Sequence, residues 1–164
     1  MNKPFGKVSR REFYIALFLR NDDVISNLKG VILAGVLMYA SIRDIHTRVV
    51  PDWIWITVAG LGLIGIQLQD LPGMIFSAIA VLLILIPLTV LMKEWSLGGA
   101  DIKVSAAGAF ILGGLHGLYA LILGITLAVI TVPLIYMICH QQEKQSFALI
   151  PYLAAGIMIV YLFI

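Results

Sequence analysis

Residues 71–92 read Leu71-Pro72-Gly73-Met74-Ile75-Phe76-Ser77-Ala78-Ile79-Ala80-Val81-Leu82-Leu83-Ile84-Leu85-Ile86-Pro87-Leu88-Thr89-Val90-Leu91-Met92, with no charged residue anywhere in the run. A helix that crosses a bilayer needs roughly 20 apolar residues, whereas a barrel strand alternates polar and apolar positions over about 10. This run is apolar on every face, so it reads as a membrane helix. Charge-free runs of similar size recur along the chain. Of its 164 residues 61% are hydrophobic and only 12% charged, and the mean hydropathy is +1.02. Those values lie far from the soluble range. The expected fold is therefore all-α, a polytopic membrane protein built as a bundle of six transmembrane helices in contact with the lipid bilayer.

Working outward from that run, residues 51–68 form a second apolar segment and residues 24–43 a third, whose one interior charge, Lys29, is close enough to the end to snorkel. Pro51 suits the first turn of a helix. On the other side, a short helix is expected to begin near Asp101. A turn at Gly113, Gly114, His116 and Gly117 leads to a helix over 118–139, and a last helix covers 147–164. Residues 1–24 hold Lys3, Lys7, Arg10, Arg11 and Arg20 around a short apolar block and read as a separate basic amphipathic segment lying on the interface. The division is thus 1–24 as that segment and 25–164 as the six-helix domain.

Loops after the first, third and fifth helices carry Arg43, Arg48, Lys93, Lys103 and Lys144, while the intervening loops carry no Lys or Arg. The positive-inside rule puts the former on the cytoplasmic side. The basic tail runs against that orientation, and the loop asymmetry is taken as the stronger signal. A net charge of +2 gives no reason to expect nucleic acid as a partner, and the single cysteine, Cys139, cannot build a Cys-x-x-Cys metal site. His46, His116 and His140 fall on different loops, so no metal is expected, and nothing calls for a cofactor. The sequence gives no oligomeric state.

Chemistry concentrates in Ser96-Leu97-Gly98-Gly99-Ala100-Asp101-Ile102-Lys103. Asp101 stands at the mouth of an uncharged run, and acids at membrane depth are functional suspects. The glycines ahead of it permit unusual backbone conformations and close approach of another chain. The matching acid is Asp44, at the end of the first long apolar segment, in Arg43-Asp44-Ile45-His46-Thr47-Arg48-Val49-Val50-Pro51-Asp52. Both acids are expected at one depth, facing each other. Asp44 at a helix C-terminus opposes the macrodipole and Asp101 at an N-terminus is favoured by it, which predicts that Asp44 holds the shared proton more readily. Two such carboxylates can supply general acid and base for amide hydrolysis.

Gly98-Gly99-Ala100-Asp101-Ile102-Lys103 resembles the Gly-x-Gly-Asp-x-Lys signature of the type IV prepilin peptidases, membrane aspartic proteases that include the archaeal preflagellin peptidases. The segment from Asp44 through Thr47-Arg48 to Val50-Pro51-Asp52 resembles the same family's first-aspartate region. Pro151-Tyr152-Leu153-Ala154-Ala155-Gly156 resembles its last-helix segment. The resemblance implies catalysis by Asp44 and Asp101, with Gly98, Gly99, Lys103, Thr47, Arg48 and Pro51 contacting substrate or shaping the site. It also implies removal of a short basic leader from prepilin or pseudopilin precursors. Ala100 replaces a glycine of the signature and Asp52 the usual Asn. The paired Cys-x-x-Cys motifs of the bifunctional members have no counterpart here, so the resemblance covers the peptidase core and does not extend to methylation.

Other readings of the same residues remain open. Lys103 serves equally as a snorkelling anchor, and it falls on a different helical face from Asp101. Thr47 and Arg48 are explained as well by a turn and an anchor. Asp52 reads as an acid supporting a helix N-terminus. The competing function is a non-catalytic membrane transporter or assembly component that uses the two aspartates as a proton or cation site. A relative that has kept the fold and lost activity is a third reading.

Overall fold

The computed structural model describes residues 10–91, 98–139 and 148–164. Six helices appear among them, and no strand: α1 (Arg10–Thr47), α2 (Trp53–Leu63), α3 (Leu71–Leu91), α4 (Gly99–Leu112), α5 (His116–Cys139) and α6 (Ile150–Phe163). Lys3, Lys7, Met92, Lys93, Ser96, Leu97, His140, Lys144 and Phe147, on which the sequence expectations drew, lie outside the described residues.

The order of the helices is as expected, and several boundaries differ. The first helix was expected to start near Val24, after a separate interfacial segment; α1 instead runs unbroken from Arg10. Between 10 and 24 there is no Gly or Pro to stop it. At 38 residues and ~1.5 Å per residue it reaches ~57 Å, well beyond a hydrocarbon core. It ends where Arg48 takes a left-handed conformation, φ 54°, with its N–H on the Asp44 carbonyl at 3.1 Å. That is a helix stop more usual for glycine. Pro51 then keeps the residue before it out of helical geometry. α2 consequently starts at Trp53 rather than at Pro51, and it closes at Leu63 rather than near 68.

Three helical segments are long and apolar enough to cross a membrane: Val24–Thr47, Leu71–Val90 and His116–Leu134. α2 and α6 are shorter apolar helices. Large apolar side chains such as Val31, Leu83 and Met137 are exposed, a pattern that suits lipid as the surrounding solvent better than water.

α4 occupies the middle of the bundle and packs on α2, α3, α5 and α6, while α1 lies across α2 and α6. Sequence explains why a short, glycine- and alanine-rich helix takes that place. Small side chains let neighbouring backbones come close, which is how membrane helices gain contact without a hydrophobic driving force. A Cβ on Gly108 would run into Ile157 of α6. One on Gly117 of α5 would sit 2.7 Å from the Ala109 Cβ. The shortest distance to a neighbouring backbone is between α5 and α6, where a Cβ on Gly156 would lie 2.7 Å from the Gly124 amide nitrogen and collide with the Ala120 carbonyl. Leu33, Leu37, Ile54, Val58, Val104 and Ile150, all fully or almost fully buried, form the core beneath one end of the bundle. That end carries the two acids.

Candidate active site

Asp44 lies one turn before the end of α1, and Asp101 in the first turn of α4. Each is 8% exposed, and both are buried. They are near enough for the charge of Asp44 to act on Asp101. Neighbours in sequence do not explain this, since 57 positions separate the two. The α1–α6–α4 packing does.

Backbone amides hold both carboxylates. Asp101 Oδ2 accepts the Gly98 N–H at 2.9 Å, and the Asp101 N–H donates to the Gly98 carbonyl at 3.0 Å. This is half of a capping box, the acid at the third position reaching back to the N-cap amide; glycine has no side chain to return the bond, and its carbonyl takes the Asp101 N–H as an ordinary turn. Asp44 Oδ2 accepts the N–H of Ile150 at 3.1 Å. Ile150 is the first residue of α6, so this carboxylate leaves the negative end of its own helix and rests on the positive end of another. The expected contrast in local field, with Asp44 opposed by a helix dipole and Asp101 favoured, is therefore absent: both acids rest on a helix N-terminus.

Of the two roles expected of the glycines, unusual backbone and room for another chain, the first is not needed here. Gly98 has φ −67° and ψ 148°, an ordinary extended conformation, and Gly99 is helical. Neither needs a left-handed backbone, unlike Gly113 and Gly114 at the α4–α5 turn. Both are exposed, and among the described residues nothing stands within 4 Å of where a Gly99 Cβ would be. The pair leaves open ground beside Asp101. Gly99→Trp is therefore expected to raise KM for a peptide substrate about tenfold with a smaller change in kcat, because it fills approach space and disturbs no packing. An unchanged KM would show that substrate does not pass over this turn.

The remaining expected residues separate into those near the acids and those turned elsewhere. Arg48 acts electrostatically on Asp44. Thr47 is exposed and gives its hydroxyl to the Arg43 carbonyl at 2.9 Å, with the Val49 carbonyl also in reach at 3.3 Å. Its place is the helix end. Pro51, half-buried, accepts the Ile54 N–H at 3.2 Å and so starts the turn into α2. Lys103 does not reach the two acids. Its Nζ pairs with Asp52 Oδ1 at 2.6 Å, with both side chains substantially exposed. The Lys103 ammonium holds the Asp52 carboxyl below its usual range, so the pair persists at neutral pH and is lost only as pH falls through that lowered value.

Two features had weak sequence signals. The Ile150 amide has none, because any residue but proline carries it. The Asp52 partner of Lys103 was legible as an acid at a helix start, but not as part of an ion pair 51 positions away. Ser105, one turn after Asp101, is buried with an unpartnered hydroxyl. No cluster of His, Cys, Asp and Glu among the described residues is arranged to hold a metal.

A helical bundle that keeps two carboxylates buried and within each other's field is a suitable frame for hydrolysis at membrane depth. Residues 31–138, more than half of the chain, match the type IV leader peptidase family. The chain belongs to that family of proteases, whose members act on prepilin-type substrates. Both aspartates and the glycine step lie inside the matched region; Ile150 and the 151–156 segment lie beyond it. No curated protein and no solved structure gives a significant match.

Proposed function

We propose that this protein is an aspartic endopeptidase of the membrane, with Asp44 and Asp101 as its catalytic pair. The supporting observation is that these two acids, far apart in sequence, are both buried, each oriented by a backbone N–H, and that the charge of Asp44 reaches Asp101. Two carboxylates that close disfavour double ionisation, so the pair shares one proton. The ionised member takes a proton from a water molecule as the water oxygen bonds to the scissile carbonyl carbon. The neutral member gives its proton to the carbonyl oxygen. As the resulting diol collapses and the C–N bond breaks, the departing nitrogen takes the proton held by one member while a diol hydroxyl returns its proton to the other, so the pair again holds one proton.

All six helices are assigned to the membrane, with α2, α4 and α6 as short spans and the acid-bearing end toward the cytoplasm. Lys103 and Arg48 on that end follow the positive-inside pattern. The substrates are pilin or pseudopilin precursors cut at the junction between a short basic leader and an apolar helix. Gly98 and Gly99 admit the extended peptide, and Thr47, Arg48 and Pro51 set the rim.

The test uses membranes containing the full chain, incubated with a pilin-like precursor and followed by mass spectrometry of the new N-terminus. A single cut at the leader junction is expected. Intact precursor, with the protein inserted and folded, would overturn the proposal.

A further inference from the structure

The Asp52–Lys103 pair has no part in the steps above, yet it sits at a telling place. Asp52 immediately precedes α2, and it follows Asp44 by a short connection made of the last turn of α1, the left-handed Arg48 and Pro51. Lys103 is two residues beyond Asp101 in the first turns of α4. The ion pair thus closes a ring: Asp44, the 48–52 connection, Asp52, Lys103, Asp101. Within that ring Asp44 is fixed by Ile150 of α6, whereas the turn carrying Asp101 is preceded by two exposed glycines, one of which has nothing packed where a side chain would be. Apolar packing already joins the start of α4 to α2, with Ala100 and Val104 against the core that holds Ile54 and Val58, and the ion pair adds a polar tie at its exposed rim.

We propose that the Asp52–Lys103 ion pair is a brace that sets the separation of Asp44 and Asp101, which makes Asp52 and Lys103 positioning residues for the reaction. The proposal rests on the aspartic reading of the site. An exposed ion pair adds little to overall stability, so its contribution lies in geometry, and small displacements of reacting groups are costly in rate.

The experiment measures leader cleavage by the full chain in membranes for Asp52→Ala, Lys103→Ala, the double Ala variant and the charge swap Asp52→Lys with Lys103→Asp. Asp44→Asn serves as the control on the pair itself. Each single Ala variant is expected to lower kcat about tenfold with KM nearly unchanged. The double variant should fall no further than either single one. The swap should recover most of the loss, which a merely structural role for either side chain would not produce. Thermal melting in detergent should be close to wild type for all of them. Wild-type kcat in Lys103→Ala, or additive losses without recovery in the swap, would overturn the brace and leave the catalytic pair standing. Undiminished cleavage by Asp44→Asn would remove the aspartic reading and the brace with it.

Discussion

Replacing either Asp44 or Asp101 with Asn is expected to lower leader cleavage by about 10³-fold or more while the protein still inserts and folds. General acid–base catalysis by a placed side chain contributes roughly 10²–10⁴-fold, and here each carboxylate serves in both halves of the cycle. Asn keeps the size of the side chain, and its carbonyl oxygen can still accept the N–H of Gly98 or Ile150, so the seats of both groups survive. It can neither take a proton from water nor pass one to a leaving group. Because the two acids act as a unit, the double Asn variant should be no worse than either single one. The comparison requires purified protein and a precursor substrate, with folding checked by melting. Residual cleavage within about tenfold of wild type in either single variant would move catalysis to other residues.

Gly156→Val is expected to destabilise the bundle by about 3 kcal/mol, at the upper end of ordinary overpacking. A Cβ there meets the Ala120 carbonyl and stands 2.7 Å from the Gly124 nitrogen and 3.0 Å from its Cα. These are backbone atoms, which cannot rotate away as a side chain can. The α5–α6 pair would have to separate along its contact, and α6 is the helix whose first N–H holds Asp44. Lost stability should therefore come with lost activity. Gly35→Ala is the matched control, since nothing lies within 4 Å of its added carbon. Unfolding in detergent, followed by circular dichroism, distinguishes the two. Equal melting of Gly156→Val and wild type would show that α5 and α6 do not meet as described.

Local chemistry decided what could be read from the sequence. The all-helical fold and the helix order followed from apolar runs such as 71–92, where every face of the helix is greasy. The two acids stood out because carboxylates are scarce beside such runs. What escaped the reading depends on contacts between distant segments. The length of α1 was underestimated because the basic residues around a short apolar block in 1–24 suggested a separate interfacial helix, while the backbone met no breaker between 10 and 24. The glycines at 98 and 99 were read for unusual backbone and for close approach of another chain; their backbone is ordinary, and open space at Gly99 is what fits the second reading. The balance between the acids was inferred from each one's own helix. The Asp44 seat on α6 altered it, since side-chain direction across a bundle is not written in local spacing. Lys103 was correctly assigned to a face away from Asp101, though its partner became visible only once α2 and α4 were side by side.

The hydrogen bond from Ile150 to Asp44 also bears on how such a site can drift over generations. It is donated by the main chain, so the bond itself is indifferent to which side chain occupies position 150, proline excepted. Substitution there would be judged by how well the new side chain fills its buried niche, with the chemistry of Asp44 untouched. A site anchored in this way tolerates divergence in its last helix while its function is preserved. Two homologues could thus share the support while sharing no letter at that position.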